Sequence, residues 1–155
     1  MILGAGGAAR ALSVELAKRG AGHITIVNRS RKRGEELTEH LKSVIGASAC
    51  DETWERSYTV PAGTDMLINA TSIGLYPDLN IPDIDYDTLT DRVIVCDIIP
   101  NPLHTKFLAR AQECGCRTFD GFSMLVNQAA VSFKLWTGLN APIEVMLEAL
   151  KSTSV

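Results

Sequence analysis

The chain has 155 residues, enough for one domain, and 46% hydrophobic with 21% charged residues is an ordinary soluble composition. A net charge of −3 gives no global basic field for nucleic acid or an anionic membrane. No apolar run reaches the roughly 18–20 residues of a membrane span, and the cysteines (Cys50, Cys96, Cys114, Cys116) lack zinc-ligand spacing, so no metal site is expected.

Met1–Leu3 reads as the end of a strand. A helix follows over about 7–18, with Leu12 and Leu16 on one face and Gly20 past its end. Ile24–Val27 is a β-branched run suited to a buried parallel strand. Ser30 is placed to cap a second helix that sets Leu37, Leu41 and Val44 on one face and stops at Gly46. A short third strand is expected near Ala47–Cys50, and Asp65–Asn69 is a fourth. Residues 76–86, rich in Pro, Asp and Asn, form a loop. Val93–Ile99 is a strand ended by Pro100-Asn101-Pro102, and a helix over 104–114 stops at Gly115. Arg117–Phe119 is a last strand, followed by helices over 121–136 and 142–150.

Strands alternate with helices throughout. This predicts an α/β Rossmann-like, doubly wound parallel sheet of about six strands with helices on both faces, with residues 1–155 as one domain. Ligands of such sheets bind outside the carboxyl ends of the strands. Only three residues precede Gly4, fewer than the about 5–6 of an average strand, so the chain reads as part of a longer protein. Unpaired cysteines and the lack of a signal peptide suggest a cytoplasmic location.

Gly4-Ala5-Gly6-Gly7-Ala8-Ala9 fits G-x-G-x-x-G/A between a strand and a helix. Gly4 permits the tight turn, Gly6 lets backbone approach a diphosphate, and Ala9 keeps helix and strand close. The first N–H groups of the helix and its dipole would attract an anion. The alternative is a glycine-rich turn without a ligand.

After the second strand come Asn28, Arg29, Ser30, Arg31, Lys32 and Arg33, with no acid before Glu35. A site for NAD usually has Asp or Glu there, accepting from the ribose 2′-hydroxyl. Cations at a helix start oppose the macrodipole, by roughly 0.3–1 kcal/mol each when exposed. A bound phosphate reverses that sign, and the guanidinium fork suits phosphate oxygens. Arg29 and Arg33, with Ser30, are therefore assigned to a 2′-phosphate, and NADP is the expected cofactor. A solvated basic face is the competing interpretation.

Five segments give the chain its likeness to a known family: Gly4 through Arg10, Asn28-Arg29-Ser30, Asn69-Ala70-Thr71-Ser72-Ile73-Gly74, Asp97 through Thr105, and Asp120-Gly121-Phe122-Ser123-Met124-Leu125-Val126-Asn127-Gln128-Ala129. They resemble the shikimate/quinate dehydrogenases over nearly the whole length. The resemblance implies a role for each candidate residue. Gly4, Ala5, Gly6, Gly7 and Ala8 would bind the diphosphate of NADP. Asn28, Arg29, Ser30 and Arg33 would bind the adenosine ribose and its phosphate. Thr71 and Ser72 would line the cleft, as part of Asn69 to Gly74. Ile98, Gly121 and Met124 would meet the nicotinamide end, and Gln128 would reach a cyclitol acid substrate such as shikimate.

Two departures stand out. The family's amino-terminal substrate domain, with its catalytic Lys and partner Asp, has no counterpart here, so no catalytic residue is assigned and the isolated chain is expected to be inactive. Pro100 also stands where the family commonly has a substrate-binding Tyr. The expected function is the cofactor-binding part of an NADP-dependent enzyme interconverting 3-dehydroshikimate and shikimate. The alternatives are a relative acting on another cyclitol acid and a non-catalytic NADP-binding module.

Overall fold

The computed structural model describes residues 1–153, so the last two residues of the expected domain lie outside the described residues. The elements run β1 (Ile2–Leu3), α1 (Gly7–Lys18), β2 (Ile24–Asn28), α2 (Arg31–His40), β3 (Ala49–Thr53), β4 (Tyr58–Thr59), β5 (Met66–Asn69), β6 (Ile84–Asp85), β7 (Ile94–Asp97), α3 (Lys106–Glu113), β8 (Arg117–Phe119), α4 (Phe122–Thr137) and α5 (Ile143–Thr153).

Six strands form one parallel sheet in the order β3-β2-β1-β5-β7-β8. The chain builds outward from β1 to β3, then crosses back to place β5 on the other side of β1. This reversal opens a crevice at the carboxyl ends of β1 and β5, where Leu3 pairs with Asn69.

Alternation along the strands divides the core between two layers. Ile2, Ile26 and Ile68 face Ala9 of α1 and Leu37 of α2. Their neighbours Leu3, Val27 and Leu67 face the opposite way, with Val95, onto Phe107, Leu108 and Ala111 of α3. Full burial of each such Leu, Ile or Phe contributes about 1.5–3 kcal/mol. The expected doubly wound architecture is what forms.

Four local expectations change. The third strand, Ala49–Thr53, starts within the expected segment and runs three residues past it. Among the described residues it pairs only with β2, at the edge of the sheet, and it carries Asp51, Glu52 and Thr53, so it has no apolar run to reveal it. The loop over 76–86 ends in β6, which pairs with β4 as a separate two-stranded parallel sheet. Val44 does not share the buried face of Leu37 and Leu41. The helix widens into a π turn at Leu41–Ile45, which leaves Val44 65% exposed and packs Ile45 against the core instead. Finally, α3 begins at Lys106, capped by Thr105, whose hydroxyl accepts from the Leu108 N–H at 3.3 Å.

Candidate cofactor site

The glycine turn leaves β1 at Gly4, whose N–H donates to the Val27 carbonyl at 2.7 Å. Gly4 has φ +105°, and a Cβ there would stand 2.9 Å from the Ala70 oxygen and 3.1 Å from Thr71 Cγ2. Backbone conformation and space both demand glycine. Gly6 and Gly7 differ, because a Cβ at either would meet nothing within 4 Å. The space beside them is open to an incoming molecule. Gly6 occupies the N-cap position of α1 with extended backbone and no side-chain cap, and the first turn holds no acid. Its leading N–H groups are thus free for an anion. Ala8 is exposed on that turn, and Ala9 is fully buried against the sheet.

A cleft of about 220 Å³ lies over the turn, lined by Gly4 to Gly6, Asn28, Arg29, Arg33, Trp54 and Ala70 to Ile73. Asn28 shapes its rim by donating from Nδ2 to the Ser30 carbonyl at 2.8 Å. Ser30 takes the N-cap position of α2 but its hydroxyl makes no capping bond, contrary to the expectation that it caps that helix through its side chain. It sits exposed beside the cleft rather than among the lining residues.

The four cations after β2 separate into two kinds. Arg31 pairs with Glu35 at 2.7 Å and Lys32 with Glu36 at 3.9 Å, both in i,i+4 register on the exposed face. Arg29 and Arg33 have no acidic partner among the described residues, and these two line the cleft. With no acid in the first turn of α2, their charge adds to the positive end of the helix dipole. The donor set suits a phosphate next to a diphosphate, so the residues present fit the expected 2′-phosphorylated dinucleotide.

The far wall is built on two buried polar side chains. Asn69 ends β5 and Asp97 ends β7, in register with each other and at most 1% exposed. Asn69 Nδ2 donates to Asp97 Oδ1 at 3.0 Å and to the Ile73 carbonyl at 3.1 Å, while its Oδ1 accepts from the Thr71 N–H and hydroxyl. Asp97 also accepts from the Ile99 N–H at 3.1 Å and the Thr105 hydroxyl at 2.7 Å. Burial pushes the Asp97 carboxyl above its usual range, against the opposing pull of these three bonds. The Thr71 hydroxyl is consumed within the turn, because it donates to Asn69 and accepts from the Ile73 N–H at 3.0 Å. Thr71 therefore lines the cleft while spending its hydroxyl on the wall, whereas Ser72 lies exposed on it.

Ile98, Gly121, Met124 and Gln128 lie outside this cleft. A Cβ on Gly121 would stand 2.5 Å from the Ile98 carbonyl carbon and oxygen, so Gly121 locks the start of α4 against the turn after β7. Met124 is half-buried on α4 and Gln128, one turn further on, is exposed. Trp54 is a lining residue that the sequence reading missed. Because β3 runs to Thr53, Trp54 emerges at the ligand end of the sheet, where its indole donates to the Asp83 carbonyl at 3.0 Å. It also borders an adjoining hollow of about 320 Å³ shared with Arg29 and Arg56. A larger cavity of about 450 Å³, lined by Met1, His23 and Asp65 among others, lies at the opposite, amino-terminal ends of the strands.

Comparison with known sequences places this geometry. The profile described as shikimate/quinate 5-dehydrogenase matches residues 1–76, and that of the shikimate 5′-dehydrogenase C-terminal domain matches 121–151. The chain belongs to the shikimate/quinate dehydrogenase family. A family member named shikimate dehydrogenase (NADP(+)), from Methanopyrus kandleri, is 42% identical over 97% of the chain, which covers 53% of that protein. Among solved structures, the ligand-free 5-ketofructose reductase of Gluconobacter sp. strain CHM43 superposes with TM-score 0.90 at 44% identity, covering 97% of this chain and 55% of that one. A shikimate dehydrogenase in complex with NADP+ superposes with TM-score 0.86 at 35% identity, covering 99% of this chain and 54% of that one. The chain thus spans about half the length of the family members it matches.

Proposed function

We propose that this chain is the cofactor-binding part of an NADP-dependent shikimate dehydrogenase, which interconverts 3-dehydroshikimate and shikimate in aromatic amino acid biosynthesis. One observation carries the reading: Arg29 and Arg33, the unpaired cations of the basic segment, line the same cleft as the glycine turn. The NADP+ complex of a 35% identical relative supports it.

In this reading the turn from Gly4 to Ala8 receives the diphosphate, and Asn28, Arg29, Ser30 and Arg33 hold the adenosine ribose and its phosphate. Thr71 and Ser72 bound the cleft. Ile98, Gly121 and Met124 border the nicotinamide end, and Gln128 presents its amide to substrate. NADP, when bound, supplies the carbon that gives or takes the hydride. This chain's residues contribute position and charge. Proton transfer falls to the Lys and Asp that the family resemblance puts in a separate amino-terminal domain, so the isolated chain does not turn over substrate. The exposed apolar residues Val131, Leu135 and Trp136 of α4, Leu139 after it, and Ile143 and Val145 of α5 support a covering partner of that kind. No helix among the described residues is long and apolar enough to cross a membrane, which accords with a cytoplasmic enzyme.

A second reading, action on a different polyol or ketone, is favoured by Pro100 and by the 44% identity to a 5-ketofructose reductase. Calorimetric titration with NADP+ and NAD+ tests the cofactor assignment. NADP+ binds at least about tenfold more tightly if each arginine makes a charge-assisted contact. Equal affinities refute it. Assay of the full-length enzyme with shikimate, quinate and 5-ketofructose separates the two substrate readings.

A further inference from the structure

We propose that Asp97 is a positioning residue for the cofactor: by accepting from Asn69 it anchors a hydrogen-bond relay that shapes the cleft wall from Ala70 to Ile73. The inference rests on the cofactor reading above.

The donors and acceptors leave one consistent arrangement. An ionised carboxylate only accepts. Three donors converge on Asp97 (Asn69 Nδ2, the Ile99 N–H and the Thr105 hydroxyl), and its two oxygens accept from all three. The amino side of the Asn69 amide faces both Asp97 and the Ile73 carbonyl, and its oxygen faces the Thr71 N–H and hydroxyl, so Asp97 tethers the orientation that the turn's own backbone requires. That oxygen takes the Thr71 hydroxyl proton, leaving the hydroxyl oxygen to receive the Ile73 N–H. Each step sets the next, from a buried strand end to the backbone that lines the cleft. The same turn abuts Gly4, since the Ala70 oxygen is what a Cβ on Gly4 would strike. Asp97 touches no part of the cleft itself; it acts through Asn69.

Asp97→Ala removes the acceptor, whereas in Asp97→Asn the amide oxygen still accepts from Asn69 and the Ile99 N–H while its NH2 turns to the Thr105 hydroxyl. Hydrogen exchange on the ligand-free chain reads the relay directly. In Asp97→Ala the Thr71 and Ile73 amides exchange at least about tenfold faster while the core-strand amides of Leu67 and Val95 keep their protection. Uniform acceleration would show general loosening and overturn the proposal, as would no change. In the second arm, NADPH binding is followed by fluorescence. Asp97→Ala weakens it about tenfold, the scale of one charge-assisted hydrogen bond, and Asp97→Asn keeps most of the wild-type affinity. An Asn variant no better than the Ala variant refutes the role. Should Asp97→Ala fail to fold, Thr71→Val interrupts the relay in the half-buried turn and is held to the same exchange and binding outcomes. Wild-type binding separates the two ideas. If the wild type does not prefer NADPH to NADH, the cofactor reading fails, and the exchange experiment still decides the relay.

Discussion

Replacing Arg29 by Ala should move binding and stability in opposite directions. In the free protein Arg29 has no acidic partner among the described residues and stands at the positive end of α2, beside Arg33. Removing it relieves an unfavourable helix-dipole interaction of about 0.3–1 kcal/mol. In the complex it removes a hydrogen bond between charged groups, about 1.5–3 kcal/mol. At 1.4 kcal/mol per factor of ten, NADP+ affinity falls by about ten- to more than a hundredfold. NAD+ has no 2′-phosphate, so its affinity changes little. Urea unfolding of the ligand-free variant should show equal or slightly higher stability, with calorimetry giving both affinities. Arg31→Ala is the control, since Arg31 is engaged with Glu35 on the exposed face and should leave NADP+ binding near wild type. Parallel losses for NADP+ and NAD+ in Arg29→Ala, or a variant less stable by more than about 1 kcal/mol, would refute the reasoning.

Gly4→Ala and Gly6→Ala should separate folding from binding. The first drives a Cβ to 2.9 Å from the Ala70 oxygen at φ +105° and should lower Tm by several degrees, whereas the second meets no protein atom and should leave Tm unchanged while weakening NADP+. Ile45→Lys should destabilise the chain by at least about 1 kcal/mol and Val44→Lys by less than about 0.5 kcal/mol in urea unfolding, the reverse of what an uninterrupted α-helix through this segment gives. The Asp97 carboxyl titrates above its usual range in the folded state because of burial. Its contribution is therefore most favourable below the unfolded value of about 3.9 and diminishes as pH rises through the folded value. The stability difference between wild type and Asp97→Asn, from urea melts at stepped pH, should shrink from acid to neutral pH, and a difference that grows would contradict the burial argument.

The sheet and its helices were legible where burial leaves an apolar record. Ile24 through Val27 and Val93 through Cys96 are largely apolar because both of their faces are covered. The glycine turn and the basic segment were legible for another reason: each violates a local preference that a ligand would repair. What escaped notice depends on partners distant in sequence. Strand β3 is polar because it is an edge, and its extension concealed Trp54. The pairing of β4 with β6 involves two residues from each and leaves no periodic signal. Asn69 and Asp97 were both within recognised motifs, yet their mutual hydrogen bond spans 28 positions and no spacing announces it. The π turn at Leu41–Ile45 shifts the buried face by one residue, a register change that a helical wheel cannot register.

The close approach of Gly4 to Ala70 also dictates when the binding site can exist. The fingerprint glycines leave the ribosome before the opposite bank of the crevice, which belongs to a strand emerging some 60 residues later. A nascent chain ending at Gly46 would carry the whole recognisable signature, together with both arginines, and have nothing to close a dinucleotide against. Competence to capture cofactor during synthesis must await the crossover that delivers β5 to β1.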